Sequence, residues 1–210
     1  MHQDIIKINY SKEKIEQIVK CLGEKISIDY KDKNPLFLGL LKGCLPFMTD
    51  LVKNVDIYCN LEYVKVSSYD GTHSTGNVEF KGEIPNVNNR DVILVDDILD
   101  TGRTIQAVKT KLMAMGAKSV SVCVLLDKPT GRLVDIKPDY VGGIVPNEFV
   151  VGYGLDYNEH YRNLPYIGVL KDEVYSKWRG IFKIRRILCK TIIQSKLEKN
   201  LILFFSLLSQ

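Results

Sequence analysis

Apolar residues recur along this chain with two periods, one typical of helices and one typical of buried strands. Near the N-terminus, Ile15, Val19 and Leu22 follow helical spacing. Ser11 stands shortly before them and is a residue type that caps helices. The pattern therefore predicts a helix over about residues 11–29.

Short apolar runs, separated by amphipathic stretches, continue through the middle of the chain. Such runs, when turn residues bound them, are typical of buried strands. Strands are predicted at 36–41, 57–67, 78–83, 92–95, 120–126 and 140–145, and further helices at 45–54 and 103–115. This alternation predicts an α/β fold with a mostly parallel central sheet flanked by helices.

The length of 210 residues suits one α/β domain with a sizeable core. Five cysteines occur singly, without a CxxC pair, which is typical of reduced packing residues. The N-terminal residues lack the apolar core of a signal peptide, and no apolar run has the length needed to span a bilayer. We therefore expect a cytoplasmic protein.

The net charge of +4 is unevenly distributed along the chain. Residues 176–210 hold eight basic residues and one acidic residue, whereas residues 1–175 hold 21 basic and 24 acidic residues. The body of the chain therefore lacks the basic character of nucleic-acid-binding proteins, and we expect no nucleic-acid partner.

The most informative stretch begins with the apolar run 92–95. Asp96 and Asp97 follow directly, where the strand is expected to end, and residues 100–104 then read Asp-Thr-Gly-Arg-Thr before helical periodicity begins. Ligands of open α/β sheets bind beyond the carboxyl ends of the strands, and backbone NH groups at a helix start bind anions. The stretch therefore predicts a sugar-phosphate site. A plain helix cap would account for one of the later polar residues, but not for two adjacent carboxylates.

Three further segments join this one. They are residues 40–43 (Leu-Leu-Lys-Gly), 125–129 (Leu-Leu-Asp-Lys-Pro) and 149–159 (Phe-Val-Val-Gly-Tyr-Gly-Leu-Asp-Tyr-Asn-Glu). Together with residues 92–104, they closely resemble the hypoxanthine-guanine phosphoribosyltransferases in order and spacing. The resemblance covers about residues 5–175.

This resemblance implies a domain organisation as well as a fold. The expected fold is that of type I phosphoribosyltransferases, in a domain over residues 1–175. Its core would cover about residues 36–148, and a small hood subdomain would come from about residues 1–35 and 149–175. Residues 176–210 would be a basic and apolar C-terminal extension of unknown role.

The resemblance also implies a reaction. The family transfers the 5-phosphoribosyl group of phosphoribosyl diphosphate to N9 of hypoxanthine or guanine, which gives IMP or GMP and diphosphate in purine salvage. Because the ribosyl carbon becomes cationic while diphosphate leaves, the enzyme must hold an anionic substrate and manage one purine proton. The implied cofactor is Mg²⁺, the implied partners are these small molecules, and a homo-oligomer, dimer or tetramer, is expected.

Residues of the central stretch take roles by the same resemblance. Asp100 would be the general base towards purine N7. Asp96 and Asp97 would contact the ribose hydroxyls, directly or through Mg²⁺. The 5′-phosphate would lie on the turn formed by Thr101, Gly102, Arg103 and Thr104.

The resemblance assigns the leaving group to other segments. Lys42 and Gly43 would bind diphosphate, with a cis peptide bond before the lysine. Arg162 would contact the same group through its guanidinium fork. Asp156 would be a ligand of a second Mg²⁺. An isolated Lys-Gly turn would fit a plain strand end as well as a diphosphate loop, and its position after the first core strand favours the loop. A lone arginine would otherwise be a surface charge.

The purine would be bound by the remaining residues. Lys128 would donate to its 6-oxo group, Phe149 would stack on the ring, and the backbone of Val150 would read its edge. Ser68 and Tyr69 would belong to a mobile lid that excludes water. Without the resemblance, a phenylalanine at a strand start is more often a core residue.

Two other functions stay open. One is a related enzyme that uses xanthine or another oxopurine, because the motifs define the scaffold better than the preference at purine C2. The other is an RNA-binding regulator on the same scaffold. A regulator need not keep Asp100, Lys128 and Phe149 together, and the acidic body of the chain argues against it.

The resemblance stops at Ser176. In the following tail, Arg179 and Lys183 fall on one side of a helical wheel, and Ile181 and Ile184 fall opposite. This pattern predicts a basic amphipathic helix with a weak contact to an anionic membrane surface. An extra helix packed on the body and an appended segment without a role are the alternatives.

Overall fold

The computed structural model describes residues 1–68 and 78–175. Within these ranges the helices are α1 (Lys12–Asp29), α2 (Leu45–Lys53) and α3 (Arg103–Ala114). The strands are β1 (Ile5–Tyr10), β2 (Leu36–Leu41), β3 (Asn60–Ser68), β4 (Val78–Lys81), β5 (Asp91–Leu99), β6 (Ser119–Asp127), β7 (Tyr140–Ile144), β8 (Val150–Val151) and β9 (Ile167–Leu170). Short 3-10 helices cover His2–Asp4 and Pro129–Gly131.

The larger sheet has the strand order β4-β3-β2-β5-β6-β7. Its neighbours pair in parallel, except that β4 pairs antiparallel with β3 at one edge. This confirms the prediction of a mostly parallel central sheet with helices. The first predicted helix is also confirmed, because Ser11 is its N-cap and accepts from N of Lys14 at 3.3 Å.

The central strands are apolar without interruption because both of their faces are buried. Ile93 and Val95 of β5 belong to a core layer shared with α1 and α2, while Val92 and Leu94 belong to a layer shared with α3. All four side chains are fully buried. A strand covered by helices on both sides has no polar face, which explains its sequence.

The predicted end of β5 is wrong. The strand continues past Asp96 and Asp97 to Leu99. Its pairing with β2 ends at Val95, but its pairing with β6 persists as far as Asp127. Polar side chains can lie there in extended backbone, because the strand is still hydrogen-bonded to β6, and Gly43, which follows β2, lies against the carboxylate of Asp97.

Other boundaries also differ from the sequence prediction. β3 begins at Asn60 rather than at residue 57, since its pairing begins where β2 begins, at Leu36. A second sheet, with the order β1-β9-β8, joins strands from the N-terminal and C-terminal segments. Its strands are short, one of them only two residues long, and the sequence analysis did not predict them.

Two expectations fall outside the described residues, namely the lid residue Tyr69 and the amphipathic tail. Within residues 1–68 and 78–175, no helix has both the length and the apolar character to cross a membrane. Residues 1 and 5–169 form one compact unit. In a second unit, N of Lys171 donates to O of Asp4 at 2.9 Å. The domain boundary near residue 175 stays a prediction.

Candidate active site

Three of the predicted segments meet at one edge of the sheet. Lys42 follows β2, Asp100 follows β5 and Lys128 follows β6. These strands are parallel neighbours, so their carboxyl ends lie at the same edge. Ligands of α/β sheets bind in this position.

Asp96 and Asp97 lie in the last part of β5, where both side chains are half-buried. Oδ1 of Asp96 accepts from N of Asp97 at 3.0 Å, and Oδ1 of Asp97 accepts from N of Ile98 at 2.7 Å. Gly43 lies so close that a Cβ there would be 1.7 Å from Oδ2 of Asp97. Burial raises the pKa of both carboxyls, and repulsion by Asp97 raises the pKa of Asp96 further. A cation beside them would relieve this repulsion.

α3 begins after a turn that requires glycine. Gly102 is the N-cap residue with a φ of 80°, and a Cβ there would lie 2.7 Å from Cγ2 of Ile136. No side chain of the N-cap residue accepts a hydrogen bond from the backbone NH groups of the first turn. N of Arg103 makes only a long contact of 3.5 Å to Oγ1 of Thr101. Both of these residues are exposed, and Thr104 is half-buried. The turn therefore suits an external anion better than simple capping.

Asp100 and Lys128 meet between the ends of β5 and β6. Nζ of Lys128 lies 3.4 Å from Oδ2 of Asp100. The lysine side chain is 14% exposed and the aspartate side chain 43%. Gly131 backs the carboxylate, since a Cβ there would lie 1.8 Å from Oδ1 of Asp100. The pair offers a donor and an acceptor side by side.

Arg132, which the sequence analysis did not single out, holds the backbone around this pair. Nε donates to O of Asp100 at 3.0 Å, and Nη2 donates to O of Leu99 at 3.2 Å. Other donors of the guanidinium reach O of Ile136 and the carboxylate of Asp127. Three of the four partners are backbone carbonyls, so no pattern of side chains could have indicated this role.

A second cluster joins the loop after β2 to the segment after β8. The peptide bond between Leu41 and Lys42 is cis, as the resemblance implies. Nζ of Lys42 lies 2.9 Å from Oε2 of Glu159. Nη2 of Arg162 lies 2.9 Å from Oδ1 of Asp156 and 3.5 Å from Oε1 of Glu159. The structure thus brings together both predicted diphosphate side chains and one predicted metal ligand, around a glutamate that the sequence analysis did not single out.

Close backbone packing places this cluster. A Cβ at Gly154, which has a φ of 101°, would lie 2.0 Å from O of Gly43. Nη1 of Arg162 donates to O of Gly154 at 2.7 Å. The hydroxyl of Tyr153 donates to Oδ2 of Asp50 on α2 at 2.7 Å. The segment after β8 is therefore anchored to the residues that follow β2.

Phe149 and Val150 differ in exposure. Phe149 is 39% exposed, and its ring meets that of Tyr157 edge to face, with ring centroids 5.5 Å apart. Val150 is buried and pairs with Val169 of β9. This exposure fits the predicted stacking role of Phe149 better than a core role.

Ser68, the first of the two predicted lid residues, is the last residue of β3.

Comparisons with known proteins agree with this geometry. The phosphoribosyl transferase domain family matches residues 8–158. The bifunctional protein TilS/HprT of Listeria monocytogenes serotype 4b is 50% identical over 179 residues, and this chain spans only 28% of its length. The hypoxanthine-guanine phosphoribosyltransferase of Streptococcus pyogenes serotype M3 is 49% identical over 179 residues, which are 84% of this chain and 99% of that protein.

Solved structures show the same relationship. A hypoxanthine phosphoribosyltransferase from Staphylococcus aureus superimposes with a TM-score of 0.81 at 45% identity, over 83% of this chain and 96% of that one. The hypoxanthine phosphoribosyl transferase of Trypanosoma cruzi gives a TM-score of 0.81 at 31% identity, over 86% of this chain and 98% of that one. The chain therefore belongs to the phosphoribosyl transferase domain family and, within it, to the hypoxanthine-guanine phosphoribosyltransferases.

Proposed function

We propose that the chain transfers the 5-phosphoribosyl group from phosphoribosyl diphosphate to N9 of hypoxanthine or guanine. The observation that carries this proposal is the pair of Asp100 and Lys128, 3.4 Å apart, beside the start of α3. A 6-oxopurine presents O6 and N7 next to each other on one edge. Lys128 can donate to O6 while Asp100 accepts the proton of N7, and the helix start can bind the 5′-phosphate.

In this reaction the bond from the ribosyl carbon C1′ to diphosphate breaks, and a bond from C1′ to N9 forms. Positive charge develops on the ribose, next to the carboxylates of Asp96 and Asp97. Asp100 removes the purine proton. Lys42 and Arg162 hold the anionic leaving group. Preorganised charges of this kind stabilise a transition state in which charge separates.

The carboxylates at this edge fit Mg²⁺, the cofactor that we propose. Asp96 and Asp97 are adjacent hard-oxygen donors, and burial raises the pKa of both carboxyls. Among the described residues, no group of three His, Cys, Asp or Glu side chains forms a ready metal site. Mg²⁺ suits such a site, because it keeps several waters and is shared with substrate phosphates. Once bound, it would neutralise charge on the diphosphate. Asp156, the other proposed ligand, is paired with Arg162.

The same geometry supports selectivity for 6-oxopurines. Nζ of Lys128 can only donate, and the 6-amino group of adenine cannot accept from it. Xanthine differs from hypoxanthine at C2, which lies on the side that we assign to Val150.

We further propose that the enzyme acts in the cytoplasm as a homo-oligomer. The four cysteines of the described residues are free, which fits a reducing compartment.

The base assignment is tested by Asp100→Asn, which keeps the shape of the side chain but removes the proton acceptor. With phosphoribosyl diphosphate, Mg²⁺ and hypoxanthine, we expect kcat to fall by about 100-fold or more. The dissociation constant for IMP should change much less. Asp135→Asn, in an exposed part of the same region, is the matched control and should keep wild-type turnover. Equal losses of turnover and of IMP affinity would refute the role of Asp100 as base.

A further inference from the structure

Glu159 occupies the position between the two basic side chains that we assign to diphosphate. Its Oε2 lies 2.9 Å from Nζ of Lys42, and its Oε1 lies 3.5 Å from Nη2 of Arg162. One carboxylate thus bridges a lysine and an arginine that belong to different segments of the chain. A cavity of about 480 Å³ opens beside Glu159 and Arg162.

Packing does not explain this position, because the side chain of Glu159 is 62% exposed. Its backbone has a φ of 65°, which is uncommon for a residue with a side chain, and its N donates to Oδ2 of Asp156 at 2.8 Å. The loop therefore holds a glutamate in an unfavourable conformation and directs its carboxylate at two cations. Uncommon backbone conformations of this kind cluster at ligand sites.

The charges around this carboxylate define a competition. The carboxylate of Glu159 is exposed and faces two cations, so it carries its negative charge at neutral pH. Asp156 also faces Arg162, at 2.9 Å. A diphosphate group that binds Lys42 and Arg162 must accept hydrogen bonds from the same side chains. Its negative charge would also repel the carboxylate of Glu159. Glu159 and diphosphate therefore compete for the hydrogen-bond donors of Lys42 and Arg162.

We propose that Glu159 is an affinity-determining residue of the diphosphate site. Its carboxylate pairs with Lys42 and Arg162 when the site is empty, leaves them when diphosphate binds, and pairs with them again as diphosphate departs. This inference rests on the proposed function, because that function assigns the two cations to diphosphate. It adds that the chain limits its own affinity for the leaving group and thereby favours product release.

The test is direct binding of inorganic diphosphate, with Mg²⁺ present, to the full chain by titration calorimetry. Glu159→Gln keeps the size of the side chain and removes its charge. Each exposed ion pair of this kind changes an equilibrium by a factor of about two to five, so the removal of both pairs should lower the Kd for diphosphate about four- to 25-fold. Glu159→Asn should give the same gain, since asparagine tolerates a positive φ.

Glu16→Gln is the matched control, because Glu16 forms an exposed ion pair with Lys12 on α1. It removes the same charge outside the site and should leave the Kd unchanged. An unchanged or higher Kd in both Glu159 variants would overturn the inference and make Glu159 a residue that merely positions the cations. A wild-type chain that does not bind diphosphate would overturn it as well.

Turnover of hypoxanthine by the same wild-type preparation separates the two claims. If the wild type forms IMP but the Glu159 variants gain no affinity, only the inference about Glu159 fails. If the wild type binds diphosphate but transfers phosphoribosyl to no 6-oxopurine, the proposed function fails instead. A gain of affinity cannot come from a misfolded variant, so the expected result is unambiguous.

Discussion

The substitution Gly131→Ala should damage catalysis without unfolding the protein. The added Cβ would lie 1.8 Å from Oδ1 of Asp100, whereas real Cβ contacts essentially never fall below 3.0 Å. The carboxylate must therefore move by about 1 Å. A displacement of that size from a reactive geometry costs about 100-fold in rate, or about 2.7 kcal/mol of transition-state stabilisation. Stability should change by less than about 1 kcal/mol, because the Asp100 side chain is 43% exposed and can rotate away.

A double-mutant cycle shows whether the effect passes through Asp100. We expect Gly131→Ala to lower kcat/KM for hypoxanthine about 100-fold in the wild-type background, and to cost almost nothing further in Asp100→Asn. Thr130→Ala, an exposed neighbour in the same turn, serves as the control and should be neutral. Denaturant titration monitors folding. Equal, additive losses in both backgrounds would refute the role of Gly131 in placing the base.

Three further predictions concern stability and pH. Arg132→Lys removes hydrogen bonds to backbone carbonyls and weakens the ion pair with Asp127. It should lower the free energy of unfolding by about 2 to 4 kcal/mol in urea titrations. A loss below about 0.5 kcal/mol would contradict the role of Arg132 in holding this backbone. Ser11→Ala removes the N-cap acceptor of α1 and should cost about 1 kcal/mol in the same titration, with no change in turnover. Asp96→Asn should raise Tm at pH 8 in the absence of metal. Because burial raises the pKa of Asp96 in the folded state, ionisation of this carboxyl destabilises the wild type as pH rises. The difference in Tm between variant and wild type should therefore shrink towards pH 4. A pH-independent difference in Tm would contradict that cause.

The central sheet could be predicted because its sequence signal is local. The β2 strand has the predicted bounds, since a strand buried on both faces must be apolar along its whole length. The end of β5 could not be predicted in the same way. Its last residues carry carboxylates, and only the pairing with a neighbouring strand keeps them extended.

The predicted site residues came from motifs, and the structure brings many of them together. The residues that the sequence analysis missed act through backbone atoms or through distant segments. Arg132 binds mostly carbonyl oxygens, which every residue has, and Glu159 meets a lysine 117 positions away. Neither relationship has a local signature. The two-residue strand β8 is likewise defined only by its partner in the second sheet.

The most direct test of the account is a competition between purines. The wild-type chain is given phosphoribosyl diphosphate, Mg²⁺ and equimolar hypoxanthine and adenine, and the nucleotide products are separated and quantified. Because Lys128 would face an amino group that cannot accept its proton, we predict IMP in at least about 100-fold excess over AMP. Comparable amounts of AMP, or the absence of IMP, would contradict the account.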